Sequence, residues 1–148
     1  MFDKPERSVD RVFIHCSASD NPKHDSIDVI RKWHTDEPPL GHGWSDIGYH
    51  FFIKRDGTIE NGRDLRRTPA AQRGHNRGTI AICVHGLESF TSAQFEALRK
   101  LCDEINRNYS YITFHGHNEV NPHKTCPVFD VKEVLGLDLD CRIPLNIS

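Results

Sequence analysis

The sequence predicts an α/β domain: a mixed central β-sheet with amphipathic helices packed on it. Three observations lead there. Short apolar runs rich in β-branched and aromatic residues alternate with segments whose apolar residues recur at helical spacing. That alternation is what helices layered on a sheet require. The chain has 148 residues, 36% hydrophobic and 27% charged, which suffices for one folded core without disulfides and is too apolar for disorder.

The elements follow in order. Val12-Phe13-Ile14 suits a buried strand closed by His15. Asp25 or Ser26 caps a helix with Ile27, Ile30 and Trp33 on one face. Pro38, Pro39, Gly41 and Gly43 make Thr35 to Trp44 a loop. Tyr49 to Lys54, the turn Asp56-Gly57 and Thr58-Ile59-Glu60 form a hairpin. Arg63 to Gly78 is a long polar loop over the sheet, and Thr79 to Val84 is a central strand. Thr91-Ser92-Ala93-Gln94 has capping-box form, followed by a helix with Phe95, Leu98, Leu101, Cys102 and Ile105 on one face. Tyr111 to Phe114 is a strand, a His-rich loop runs to Cys126-Pro127, and Val131 to Leu135 is a short helix. Leu139, Ile143, Leu145 and Ile147 in the tail are expected to fold back over the domain.

Nineteen basic against 21 acidic residues, a net charge of -2, exclude the basic footprint that nucleic-acid binding needs. No apolar stretch approaches the roughly 18 residues of a spanning helix, so an integral membrane protein is not expected. The polar segment Met1 to Asp10 lacks the apolar centre of a signal peptide, which predicts synthesis in a cytoplasm. Five cysteines at positions 16, 83, 102, 126 and 141 form an odd, sparse set that argues for reduced thiols over a disulfide framework.

Ten histidines beside those five cysteines raise the question of metal. His15 ends a strand, His117 follows another, and Cys126 lies in the loop beyond. Two imidazoles and a thiolate suit zinc and leave a fourth position open for water or substrate. Spacing alone leaves a second reading open, in which these are surface histidines and an inert buried cysteine. His115 is a rival ligand. His50, next to Tyr49 on a strand, faces the other way and is expected to pack; His24, His34 and His42 are expected on the surface. Cys16 is expected to point away from the ligand beside it, and Cys83 and Cys102 to be small buried hydrophobes.

Trp44-Ser45-Asp46-Ile47-Gly48-Tyr49-His50-Phe51-Phe52-Ile53, continuing through Lys54 to Arg63, resembles the zinc N-acetylmuramoyl-L-alanine amidases. Ile14-His15-Cys16-Ser17-Ala18-Ser19 looks like their first-ligand segment. Gly116-His117-Asn118-Glu119-Val120, with Lys124-Thr125-Cys126-Pro127, looks like the segment carrying the other two ligands. The motifs keep the family order from about Val12 to Leu135. Phage lysozymes that are chemically amidases are the close relatives, and animal peptidoglycan recognition proteins share the fold.

The resemblance implies one zinc ion per chain on His15, His117 and Cys126, with Tyr49 and Lys124 around the reacting carbonyl. It implies hydrolysis of the amide between N-acetylmuramic acid and the L-alanine of the peptidoglycan stem peptide. Ala71 stands where many relatives have His, and His75, Asn76 and Arg73 are the nearby candidates for substrate contact. The expected organisation is a single catalytic domain over 1–148, with a core of about 9–136, a C-terminal extension over 137–148 and no separate cell-wall-binding domain. The expected biology is a monomeric phage endolysin that reaches the wall with a holin's help. Two alternatives remain at this point: a non-catalytic peptidoglycan-binding module, and a metal-free Cys-His hydrolase with Cys126 or Cys16 as nucleophile.

Overall fold

A computed structural model describes residues 2–144. Five strands form one sheet in the order β3-β2-β4-β1-β5. They are β1 (Arg11–Cys16), β2 (Phe51–Ile53), β3 (Ile59–Asn61), β4 (Thr79–Val84) and β5 (Thr113–Gly116). Only the β2–β3 hairpin is antiparallel; β4 pairs in parallel with β2 and β1, and β1 with β5. The mixed sheet agrees with expectation. Parallel strands must be covered on both faces, and every residue of Thr79–Val84 is buried.

Helices supply that cover. On one face, α2 (Ser92–Arg107) and α3 (Val131–Leu135) bring Leu98, Leu101, Ile105, Val131 and Leu135 against Val12, Ile14, Ile80, Ile82 and Phe114. On the other, α1 (Ile27–Thr35) packs Ile27 and Ile30 with Ile47, Phe52 and Cys83. Ser26 caps α1 by accepting the Asp28 N–H, and Thr91 and Gln94 form the capping box of α2. In the hairpin, Gly57 takes φ +89°, a conformation that favours glycine.

Several details differ from the sequence reading. β5 starts at Thr113, two residues late, because its partner β1 starts at Arg11, which pairs with Thr113; Tyr111 is exposed. On α2 the buried polar Gln94 takes the position expected for Phe95, since its amide donates to the His85 and Ile53 carbonyls. Phe2 is buried in the main core, and its N–H donates to Glu104. Of the tail, Ile143 packs on the core, whereas Leu139 is 92% exposed because a turn from Asp138 carries it outward. Leu145 and Ile147 lie outside the described residues. Among the described residues, no helix is long and apolar enough to cross a membrane.

Candidate active site

Ligands of parallel sheets bind beyond the carboxyl ends of the strands, and the chemically active side chains gather there. His15 is the penultimate residue of β1, and His117 follows β5 directly. Cys126 arrives on the loop that precedes α3. One donor atom from each of the three lies within 4.8 Å of the others, and the two imidazole rings are 4.5 Å apart. The loop is fastened by the Cys16 N–H, which donates to Cys126 Sγ at 2.8 Å, and by the Asn118 N–H, which donates to the Cys126 carbonyl at 2.9 Å.

His15 is fully buried, and its proton has an assigned place. Its Nε2 lies 2.8 Å from Gln72 Oε1. The Gln72 amide nitrogen donates to Thr79 Oγ1 at 2.7 Å and to the His75 carbonyl, so Oε1 is the acceptor and His15 carries its hydrogen on Nε2. That leaves Nδ1 as a bare lone pair, the form a metal binds. Burial, with His117 next to it, pushes the His15 imidazole down to about 3 despite the Gln72 bond. Burial and then the Lys124 charge lower His117. Both rings are neutral near pH 7. The Cys126 thiol is raised by the adjoining Cys16 thiol and by burial.

Tyr49 stands 5.1 Å from His15, ring to ring. Tyr49 is half-buried, and its hydroxyl lies within hydrogen-bond reach of Cys83. Burial first, then the neighbouring thiols, push it well above the usual tyrosine range, so it stays a proton donor. His15, Tyr49, His117, His123, Lys124 and Cys126 line one groove of about 300 Å³. Lys124 and His123 are exposed at its lip.

Arg73, His75 and Asn76 do not line this groove. Arg73 and His75 are exposed, and Asn76 Oδ1 accepts the Ala71 and Gln72 N–H groups, so it shapes the loop that presents Gln72. His115 turns to Thr113 and Glu119 instead of the groove. His50 packs as expected, donating to the Arg67 carbonyl and accepting the Ala81 N–H.

Two readings need correction. Cys16 does not turn its back on the site: it is buried against Cys126, because the loop crosses the strand end. His34 is not on the surface: it is buried and its Nδ1 accepts the Gly48 N–H. It joins His42 and Trp44 in an aromatic wall beside Tyr49. Gln72 was missed altogether.

Known proteins give this arrangement its family. The family model described as N-acetylmuramoyl-L-alanine amidase matches residues 5–129. The chain belongs to the N-acetylmuramoyl-L-alanine amidase family. This amidase is 39% identical over 137 residues to the endolysin of Escherichia phage T7, covering 87% of each chain. Among solved structures it resembles the N-acetylmuramoyl-L-alanine amidase LysC from Clostridium intestinale URNW. That match has 27% identity and a TM-score of 0.69, over 88% of this chain and 85% of that one. It shares its fold with the Ph2119 endolysin from a Thermus scotoductus bacteriophage, with 24% identity and a TM-score of 0.75 over 87% and 84% of the two chains. The amidase is thus a peptidoglycan hydrolase of the amidase type.

Proposed function

We propose that this amidase is a zinc-dependent endolysin that cleaves the amide between N-acetylmuramic acid and L-alanine, with one zinc held by His15, His117 and Cys126. The observation that carries the reading is the convergence of those three donors at the strand ends, with Gln72 setting the His15 proton on Nε2. Two neutral imidazoles and one thiolate suit zinc, and three protein ligands beside an open groove suit a catalytic ion over a closed structural one. When bound, zinc polarises the scissile carbonyl and lowers the pKa of a bound water to about 7.

The chain's own residues do the rest. The Tyr49 hydroxyl and the Lys124 ammonium flank the reacting carbonyl and share two roles, hydrogen bonding to the developing oxyanion and protonation of the leaving amine. Gln72 holds His15 in one tautomer and orientation. The metal-free alternative needs an imidazole hydrogen-bonded to the nucleophilic sulfur. Among the described residues, the hydrogen-bond partners of Cys126 Sγ all belong to Cys16, its backbone N–H and carbonyl and its thiol. The binding-module alternative leaves a complete ligand set without a task.

The likeness to phage endolysins supports action on the cell wall; synthesis in the host cytoplasm, access after a holin permeabilises the membrane and action as a monomer complete the proposal. Residues 1–148 serve as one catalytic unit. The test is product analysis on purified peptidoglycan with wild type and Cys126→Ala side by side. New L-alanine amino termini without new reducing sugar ends, lost in Cys126→Ala and after chelation, are expected. New reducing ends sink the amidase reading. Full activity in Cys126→Ala sinks the ligand set.

A further inference from the structure

A second group of metal donors sits on the outer edge of the sheet. His115 from β5, Glu119 from the 3₁₀ turn that follows it, and Cys141 from the C-terminal segment each place one donor atom within 4.8 Å of the others. None of them belongs to the His15, His117 and Cys126 set. Donors around one tetrahedral zinc, at roughly 2.0–2.3 Å from it, stand about 3.5 Å apart. His115 Nδ1 and Glu119 Oε1 are already 3.0 Å apart, within the reach of one ion.

Each donor is held from behind. His115 Nε2 lies 2.7 Å from Thr113 Oγ1, and its ring packs 5.4 Å from Phe13. With Nε2 on the threonine hydroxyl, Nδ1 is the nitrogen offered to Glu119 and to a cation. The other Glu119 oxygen accepts the Gly116 N–H at 2.6 Å. Cys141 is anchored by its backbone: its carbonyl accepts the Phe114 N–H at 2.8 Å, and its own N–H donates to the Asp138 carbonyl at 3.1 Å. Such outer hydrogen bonds are what orient ligands before a metal arrives.

The donor chemistry selects the ion. One imidazole nitrogen, one carboxylate oxygen and one thiolate sulfur match zinc and its neighbours, not calcium or magnesium. A carboxylate and a thiolate also cancel the charge of a divalent ion. Glu119 and Cys141 border a groove of about 710 Å³, which leaves a path for the ion and room for a water as fourth ligand.

We propose that His115, Glu119 and Cys141 form a second zinc-type site that fastens the C-terminal segment to β5. It shares no ligand with the first site, and its occupation ties the tail to the same turn that begins with His117.

Cobalt and zinc titration of the metal-free full-length protein tests this. Wild type is expected to take up two equivalents. Cys126→Ser keeps one, together with a thiolate-to-cobalt charge-transfer band. Cys141→Ser and His115→Gln each bind the second equivalent at least about tenfold more weakly. Cys126→Ser combined with Cys141→Ser shows no such band, and zinc no longer raises the melting temperature that it raises in Cys126→Ser. A wild type that binds one equivalent, with no thiolate–cobalt band in Cys126→Ser, overturns the second site. One equivalent in both wild type and Cys126→Ser, with the band lost in Cys141→Ser, upholds the second site and overturns the first. Circular dichroism of each variant separates lost binding from lost folding.

Discussion

Gln72→Leu separates the positioning of a ligand from the packing of a core. Gln72 is fully buried and makes three contacts: it accepts from His15 Nε2 and donates to Thr79 Oγ1 and to the His75 carbonyl. Leucine fills a similar volume but removes all three. The His15 N–H is then buried without an acceptor, at about 1–3 kcal/mol. Thr79 keeps its bond to the Asn76 carbonyl and loses less, so the metal-free protein is expected to lose about 2–4 kcal/mol in urea unfolding. Freed from Gln72, His15 can rotate or change tautomer, and outer-ligand changes of this kind weaken metal affinity about 10–100-fold, or about 1.4–2.8 kcal/mol. Zinc affinity is read by competition with a chromophoric chelator. Gln72→Glu is the control. It keeps an acceptor for His15 but loses the donor to Thr79, so stability should fall while zinc affinity holds. If Gln72→Leu binds zinc like wild type although its stability drops, Gln72 does not position His15. Equal losses of affinity in both variants refute the tautomer argument.

Two further outcomes follow from the geometry. Burial holds the His50 imidazole down at about 4, against 6.5 when exposed, with the Arg67 carbonyl opposing the shift. The unfolded chain therefore takes the proton first. Stability is full above pH 6.5 and falls as pH drops towards 4, by up to about 3 kcal/mol from this group. Urea midpoints across that range should fall less steeply in His50→Gln, and an unchanged slope removes His50 from the account. A Cβ on Gly48 would lie 2.1 Å from the Ala70 carbonyl oxygen. Gly48→Ala should thus cost roughly 3 kcal/mol and lower turnover by displacing Tyr49; wild-type melting temperature and turnover together would contradict this.

Much of the fold was legible where local pattern and tertiary environment agree. Thr79–Val84 reads as a buried strand because parallel strands are apolar on both faces, and Ser26 and Thr91 announce helices because capping is local chemistry. His34 had a signal that went unused: it lies seven residues after Ile27 on the apolar face of α1, where a polar residue must find a partner. Gln72 had none, since its partner His15 lies 57 residues away and a loop has no period to betray a buried side chain. Alternation gives the wrong side for Cys16 because it assigns faces, and a strand end is where faces stop separating environments.

That last point bears on how the site is built. β1 is flanked by parallel neighbours on both sides, and His15 itself pairs with Cys83 of β4, one residue beyond the end of the β5 ladder at Ile14. His117 inherits its position from β5, which pairs with β1. Cys126 has no such ladder. It is held at the sheet by the Cys16 N–H on its sulfur and the Asn118 N–H on its carbonyl. Two of the proposed ligands are therefore placed by strands and the third by a hydrogen-bonded loop. A metal joining all three ties the least constrained loop to the most constrained strand, so its binding energy acts on the side of the groove that carries Lys124. In the proposed site, folding and the geometry of the groove are then coupled through Cys126, and a thiolate suits that position because it can accept a backbone N–H while it ligates.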